Sequence, residues 1–128
     1  MIRYDDFVPG TLLGEARFAL TAEALGQWAG LFADDQQCAP AMPPAMIAMI
    51  VMRAYFQAVK DRPPGNIHAA QTFRIIRLPN LGTELITQVR CFGKEIKNDR
   101  RWIVFHTDTA DAAHGPLFHG EMRTIWAA

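Results

Sequence analysis

The sequence predicts an α+β domain in which a curved antiparallel sheet wraps around one long apolar helix. Residues 44–60 form an apolar stretch that contains no acidic side chain, and Arg53 is its first charge. Residues after 66 divide into strand-like segments that are separated by turns rich in glycine, proline and asparagine. An antiparallel sheet needs a cover for its apolar face, and residues 44–60 are the predicted cover.

The central helix is predicted over residues 44–60. Pro44 suits the first turn of a helix, where its missing N–H costs nothing. A helix that is apolar on all sides is buried, and this one is shorter than the ~20 apolar residues that span a bilayer. Its first turn should present free backbone N–H groups at the positive end of the helix dipole, a candidate oxyanion or anion site. A helix start capped by water or by residues 34–37 is the open alternative.

The remaining elements are predicted from periodicity and turn residues. In strand 66–78, His68 shares a face with Ala70 and Thr72, and Gln71 and Phe73 lie on the other face. Gly93 indicates a bulge, and residues 97–100 form a hairpin tip. Long strands joined by short turns predict an antiparallel meander of three or four strands. The predicted elements are a strand at 15–20, a helix at 22–33, and strands at 66–78, 83–92, 102–109 and 117–126.

Length and composition favour one soluble domain over residues 1–128. The formal net charge is zero, which gives no field that would attract nucleic acid or an anionic membrane. Cys38 and Cys91 match no metal-ligand spacing and are expected to be reduced thiols. The first residues lack the apolar core of a signal peptide. We therefore expect a cytoplasmic protein with no nucleic-acid, membrane or metal partner.

Several motifs resemble one known superfamily along nearly the whole chain. They are residues 20–24 followed by 32–35, Met42-Pro43-Pro44-Ala45-Met46, His68-Ala69-Ala70-Gln71-Thr72-Phe73, residues 78–85 and residues 120–124. Together they resemble the hotdog superfamily, and within it the MaoC-like (R)-specific enoyl-CoA hydratases and dehydratases. The second motif is similar to the entry into the central helix of that family.

The resemblance implies a hotdog fold and an acyl-CoA or acyl-carrier thioester as substrate or ligand, with no separate cofactor. It implies subunits that pair sheets edge to edge, as a homodimer or as a heterodimer with another hotdog chain. The substrate-binding residues would be Pro43, Pro44, Ala45, Met46 and Met49. The methionines of the helix either line an acyl tunnel or simply fill the core, because methionine adapts to irregular apolar partners.

One departure from the family pattern concerns the catalytic loop. In catalytic members the first helix is followed by Asp-x-Asn-Pro-x-His, and that Asp and His activate the water. Asp35 can align with the Asp, but residues 36–40 contain no Asn-Pro and no His. His68 could replace the missing imidazole, although a lone strand histidine is often structural. His106, His114 and His119 are weaker candidates of the same kind.

Three hypotheses for the function remain open at this point. The chain could be a catalytically degenerate or partner-dependent hydratase subunit, an active hydratase that uses Asp35 and His68, or a non-enzymatic hotdog ligand-binding or structural module. The absence of acidic residues from the central helix argues against the thioesterases that place their base or nucleophile there. A basic hairpin that contains Lys94, Lys97, Arg100 and Arg101 is either a CoA phosphate patch or a solvated tip.

Overall fold

The computed structural model describes residues 1–33, 41–113 and 115–128. These residues form a sheet of five strands and two α-helices, and no described helix is long and apolar enough to cross a membrane. The elements in chain order are the 3-10 helix Tyr4–Asp6, β1 Leu12–Ala19, α1 Ala22–Leu31, α2 Met46–Ala58, β2 Ile67–Ile75, β3 Glu84–Lys97, β4 Arg100–Asp111 and β5 Gly115–Trp126.

The strands lie in the order β1-β3-β4-β5-β2, and every neighbouring pair is antiparallel. The meander is confirmed for β3, β4 and β5. The buried residues of these three strands alternate along the sequence as predicted, and they form the face that packs on α2. The hairpin tip and the bulge are also confirmed: Asn98 and Asp99 have φ of 52° and 58°, and the β3–β4 register shifts before Gly93.

Of the two predicted forms of the meander, the four-strand form that includes β2 is wrong, because β2 pairs with β5 at the far edge of the sheet. Residues 76–83 do not close a hairpin but carry the chain across one end of the domain. The N–H of Ile76 donates to the Leu117 carbonyl at 2.8 Å, and the N–H of Gly82 donates to the Leu20 carbonyl at 2.9 Å. Midway, the Met42 N–H donates to the Pro79 carbonyl at 2.9 Å. The crossing segment therefore passes over the residues that lead into α2.

Helix α2 begins at Met46, two residues later than predicted, and ends at Ala58. It buries one face against the sheet, through Met46, Ile47, Ile50, Val51, Ala54 and Tyr55. The expectation that the helix is buried on all sides is wrong: Ala48 is exposed, and 48% of Phe56 is accessible. An apolar stripe of α2 thus faces away from its own sheet.

The core divides into two clusters along α2. At the N-terminal end of the helix, Met46 and Ile47 pack with Leu85, Leu117 and Phe118. At the C-terminal end, the core is aromatic and includes Tyr55, Phe105 and Trp126. The thiol of Cys91 is free and buried in this second cluster, and burial raises its pKa. Cys38 lies outside the described residues.

Candidate functional site

The N-terminal end of α2 holds most of the residues that were predicted to bind substrate. Pro43 and Pro44 have no N–H, and their carbonyls accept hydrogen bonds from Met46 N–H at 3.0 Å and Ile47 N–H at 3.1 Å. Ala45 has helical dihedrals and is exposed. No acceptor for its N–H occurs among the described residues. Several free backbone N–H groups were expected in this first turn. Among the described residues of the turn, only the Ala45 N–H lacks an acceptor, and it lies at the positive end of the helix dipole.

The methionines near this end have different surroundings. Met42 and Met46 are fully buried in the core, so their side chains pack rather than face solvent. Met49 is half-buried and lines a groove of about 260 Å³ between α1 and α2. The other walls of this groove are Phe18, Ala24, Gln27, Trp28, Leu31 and Arg53.

The groove is largely apolar and has one cation at its side. The Arg53 guanidinium lies over the Phe18 ring, 5.7 Å from its centroid. The Trp28 and Phe32 rings are in contact at 4.5 Å between centroids. Arg53 and Trp28 were not among the predicted site residues. A signal for Arg53 was present in the sequence, because it is the first charge of the apolar helix. An apolar wall beside a cation suits an apolar ligand that carries an anionic group.

His68 lies at the opposite end of α2. It pairs with the buried Thr124 of β5, and the register shifts between His68 and Ala70. This bulge moves His68 to the helix-facing side of β2, which it shares with Gln71. The prediction that His68 shares a face with Ala70 is therefore wrong, because an extra residue resets the alternation. Since α2 spans about 20 Å, His68 and Ala45 of the chain lie far apart, at opposite ends of the helix.

A crevice of about 200 Å³ adjoins His68, between the last turns of α2 and the sheet. Tyr55 forms one wall, and burial raises its pKa from 10.0 to about 12. The Arg62 guanidinium lies 4.4 Å from the Phe56 ring centroid and donates to the Val59 carbonyl at the end of α2. The remaining lining residues are Met52, Asn66, Ile67, Met122 and Thr124. His68 is thus exposed beside an apolar crevice with a cation at its rim.

The other predicted acid–base residues are not at this helix. Asp35 and His114 lie outside the described residues. His106 pairs with Glu121 at 3.0 Å, and His119 pairs with Asp108 at 2.7 Å, on the face of the sheet that turns away from α2. The Phe92 ring stacks on His106 with 3.8 Å between centroids. The described residues include no group of three or more His, Cys, Asp or Glu that could hold a metal ion.

The basic residues of the hairpin have two different sets of contacts. Lys94 donates to the Tyr4 carbonyl at 3.1 Å and lies over the Tyr4 ring, so it anchors the N-terminal segment. Lys97, Arg100 and Arg123 line an open hollow with Trp102 on the outer face. Arg123 also contacts Glu95 at 3.7 Å. This hollow is separated from the α2 N-terminus by the thickness of the sheet.

Solved structures share this arrangement along nearly the whole chain. A MaoC-like dehydratase from Rhodospirillum rubrum superposes with a TM-score of 0.78 at 18% identity, covering 97% of this chain and 96% of that one. An (R)-hydratase from A. caviae, involved in PHA biosynthesis, gives 0.75 at 13% identity, with 95% and 98% covered.

This chain has the hotdog fold. A third structure, the HadBC (3R-hydroxyacyl-ACP dehydratase) complex from Mycobacterium tuberculosis, gives a TM-score of 0.68 at 10% identity, with 86% of this chain and 90% of that chain covered. No family model matches the sequence, and no curated protein matches it. The hotdog domain is therefore structurally similar to MaoC-like (R)-hydratases and dehydratases at low sequence identity.

Proposed function

We propose that this chain is an acyl-thioester-binding subunit of the MaoC-like hydratase type, and that its turnover depends on a partner. The observation that carries the proposal is the N-terminal end of α2. There the Ala45 N–H has no acceptor among the described residues, and it lies one helical turn before Met49, which lines an apolar groove. A backbone N–H at a helix start suits the thioester oxygen, on which negative charge develops during addition to a conjugated double bond.

The proposed chemistry is the reversible hydration of an enoyl thioester. A base removes one proton from water as the water oxygen bonds to the β-carbon. The electron pair of the double bond takes one proton from an acid at the α-carbon, so that H and OH add in total and the base passes its proton on to restore the acid. In the alternative of an active hydratase, Asp35 and His68 are the proposed acid–base residues; in the partner-dependent subunit, the partner chain supplies the acid and the base. Since residues 36–40 lack the histidine of the MaoC pattern, we expect a lone chain to turn over slowly.

The proposed ligand is an acyl-CoA or an acyl group on a carrier protein, and no further cofactor enters the proposal. The proposed assembly is a homodimer, or a heterodimer with a second hotdog chain, through the outer edge of β2. Apart from β5, no strand in the described part of the chain pairs with β2. Eight of its nine residues are exposed, which is unusual for a strand rich in apolar side chains.

Calorimetric titration with butyryl-CoA tests the binding proposal, because this saturated thioester cannot be hydrated. We expect saturable binding that weakens in Ala45→Pro, which removes the N–H, and persists in Ala45→Gly, which keeps it. Pro is compatible with the φ of −64° at Ala45. Absence of binding by the folded wild-type chain would favour the alternative, a non-enzymatic hotdog module without CoA chemistry.

A hydration assay separates the two enzymatic hypotheses. With crotonyl-CoA, we expect weak activity from the isolated chain and higher activity after addition of a catalytic hotdog partner. Full activity of the isolated chain that is lost in Asp35→Asn or His68→Gln would instead establish an autonomous hydratase. His68→Gln is the informative change, because it keeps a polar side chain at an exposed position.

A further inference from the structure

The crevice at the C-terminal end of α2 contains polar groups that the proposed thioester site does not use. Its volume is about 200 Å³, and it lies between the last turns of the helix and the sheet. Met52, Phe56 and Met122 supply apolar walls, and none of its described lining residues is acidic. An apolar concave surface with a few polar groups is the usual form of a small-molecule site.

Two hydrogen-bond donors of the crevice have no acceptor within the described residues. The Tyr55 side chain is 4% exposed, and its hydroxyl makes no hydrogen bond in the described part of the chain. The Oδ1 of Asn66 accepts from the Ala127 N–H at 2.8 Å, whereas its buried Nδ2 has no partner there. A buried donor without an acceptor is rare in folded proteins and costs free energy. A ligand that brings a hydrogen-bond acceptor into the crevice would satisfy both groups.

The positive charge of the crevice is also unmatched. The Arg62 guanidinium is half-buried and packs on two rings, 4.4 Å from the Phe56 centroid and 5.6 Å from the Tyr55 centroid. It donates to the Val59 carbonyl, and no carboxylate in the described ranges forms an ion pair with it. A guanidinium has several N–H donors in a planar fork that fits a carboxylate. The remaining donors of Arg62 are therefore available to an anion.

We propose that this crevice binds a small monocarboxylate with an apolar body, such as a short-chain fatty acid. The carboxylate accepts from the Tyr55 hydroxyl, the Arg62 guanidinium and Asn66 Nδ2, and the hydrocarbon packs between Met52 and Met122. A cavity of about 150 Å³ holds benzene, so this volume suits a ligand of roughly six to nine non-hydrogen atoms. CoA is far larger, and a neutral thioester would leave the Arg62 charge unmatched, so the ligand is the free acid. The site is independent of the proposed function, which concerns the opposite end of α2.

Titration with hexanoate tests the site through the side-chain amide of Asn66. In a two-dimensional ¹⁵N–¹H spectrum, we expect the Nδ2 protons to shift and saturate, because the carboxylate becomes their acceptor. For a ligand of this size, the dissociation constant should lie between about 0.1 and 10 mM. Hexan-1-ol has the same body without the charge, and acetate has the charge without the body. Each should bind at least ~10-fold more weakly than hexanoate.

Two variants separate the charge from the hydroxyl. Arg62→Gln removes the cation and should weaken hexanoate binding about 10-fold or more. Tyr55→Phe keeps the ring in the core, removes only the hydroxyl, and should weaken binding about 3–10-fold. Lys60→Gln removes an exposed cation outside the crevice and is the matched control, with unchanged affinity. Urea denaturation checks that each variant is folded, and Tyr55→Phe keeps the test decisive if Arg62→Gln does not fold.

Three results would overturn the proposal. The first is an Asn66 side-chain amide that does not respond to hexanoate in the folded wild-type chain. The second is equal affinity for hexan-1-ol and hexanoate, and the third is unchanged hexanoate affinity in the folded variants at Arg62 and Tyr55. Either of the last two would make the crevice an apolar cavity without an anion site. Binding of butyryl-CoA is measured separately, so its failure contradicts the proposed function and leaves the hexanoate result intact.

Discussion

The two edges of the sheet differ in how they are protected. The β1 edge is charged and irregular: Arg17 pairs with Glu84 at 2.8 Å, and a register shift lies between Leu12 and Gly14. The β2 edge has neither an ion pair nor an acidic residue among its nine residues, and it exposes apolar side chains on both faces. Native sheets use charges and bulges to prevent pairing at an edge. The difference supports the proposal that β2 is the edge that pairs with a second chain, whereas charge and irregularity protect the β1 edge.

The largest effect should follow from charging the β2 edge, through which we propose that two chains pair. Phe73→Lys with Ile75→Lys places two cations against an identical strand and removes two apolar contacts. Each buried apolar side chain contributes ~1.5–3 kcal/mol, so the dimer dissociation constant should rise about 100-fold or more. Light scattering after size-exclusion chromatography measures the mass. Leu12→Lys, at a residue of β1 with 47% exposure, is the control and should leave the mass unchanged. If the double variant kept the wild-type mass, the β2 edge would be no more important for pairing than the β1 edge.

A smaller effect is expected at the contact between β1 and α2. A Cβ added at Gly14 would lie 2.9 Å from the Ala58 Cβ, so β1 or α2 has to move. Gly14→Ala should lower the free energy of unfolding by about 1–3 kcal/mol, as overpacking does. Urea denaturation measures this change.

Gly26→Ala is the matched control, because a Cβ there meets nothing within 4 Å. In the middle of α1 it should stabilise the protein by about 0.5–1 kcal/mol. If Gly14→Ala left the free energy of unfolding unchanged, β1 would not be packed tightly against α2.

The smallest effect concerns the crevice beside β2 at alkaline pH. Burial raises the pKa of Tyr55 from 10.0 to about 12. The folded protein therefore holds this proton more tightly than the unfolded chain, so the contribution to stability is complete below pH 10 and falls as the pH rises toward 12. Tyr4 and Cys91, whose pKa values are also raised, add to the same trend.

Tyr55→Phe should reduce the slope of stability against pH, with little change near pH 7. Urea denaturation of both proteins at several pH values between 9 and 11 measures the two slopes. Identical slopes would mean that the phenol is not shielded from solvent by the crevice.

The contrast between the edges was only partly predictable from the sequence. The acid-free stretch that became α2 and the alternation of β3, β4 and β5 are local patterns, and local patterns determine these elements. The partner of β2 is not local. It depends on residues 76–83 crossing over the chain that leads into α2, and the short turn at Gly82 resembled a hairpin. The position of β2 at an edge could not be predicted from its sequence either, because its exposed residues are as apolar as those of a buried strand.

The candidate site was predictable to a similar degree. Pro43 and Pro44 marked the helix start to within two residues, but only the structure shows that their carbonyls accept from Met46 and Ile47 and leave the Ala45 N–H without an acceptor among the described residues. His68 was predicted from the chemistry of its imidazole. The face of β2 on which it lies depends on a bulge that no residue of the segment indicates. Asp35 lies outside the described residues and stays a prediction.

The most direct test of the account is the backbone amide of Ala45. In a two-dimensional ¹⁵N–¹H spectrum recorded during titration with butyryl-CoA, we predict that the Ala45 resonance shifts progressively downfield and saturates, with smaller shifts for Met49 and its neighbours in the groove. Asn98, at the distant hairpin tip, should stay in place. A spectrum of a folded protein in which Ala45 does not respond to saturating thioester would contradict the claim that the start of α2 holds the acyl-thioester oxygen.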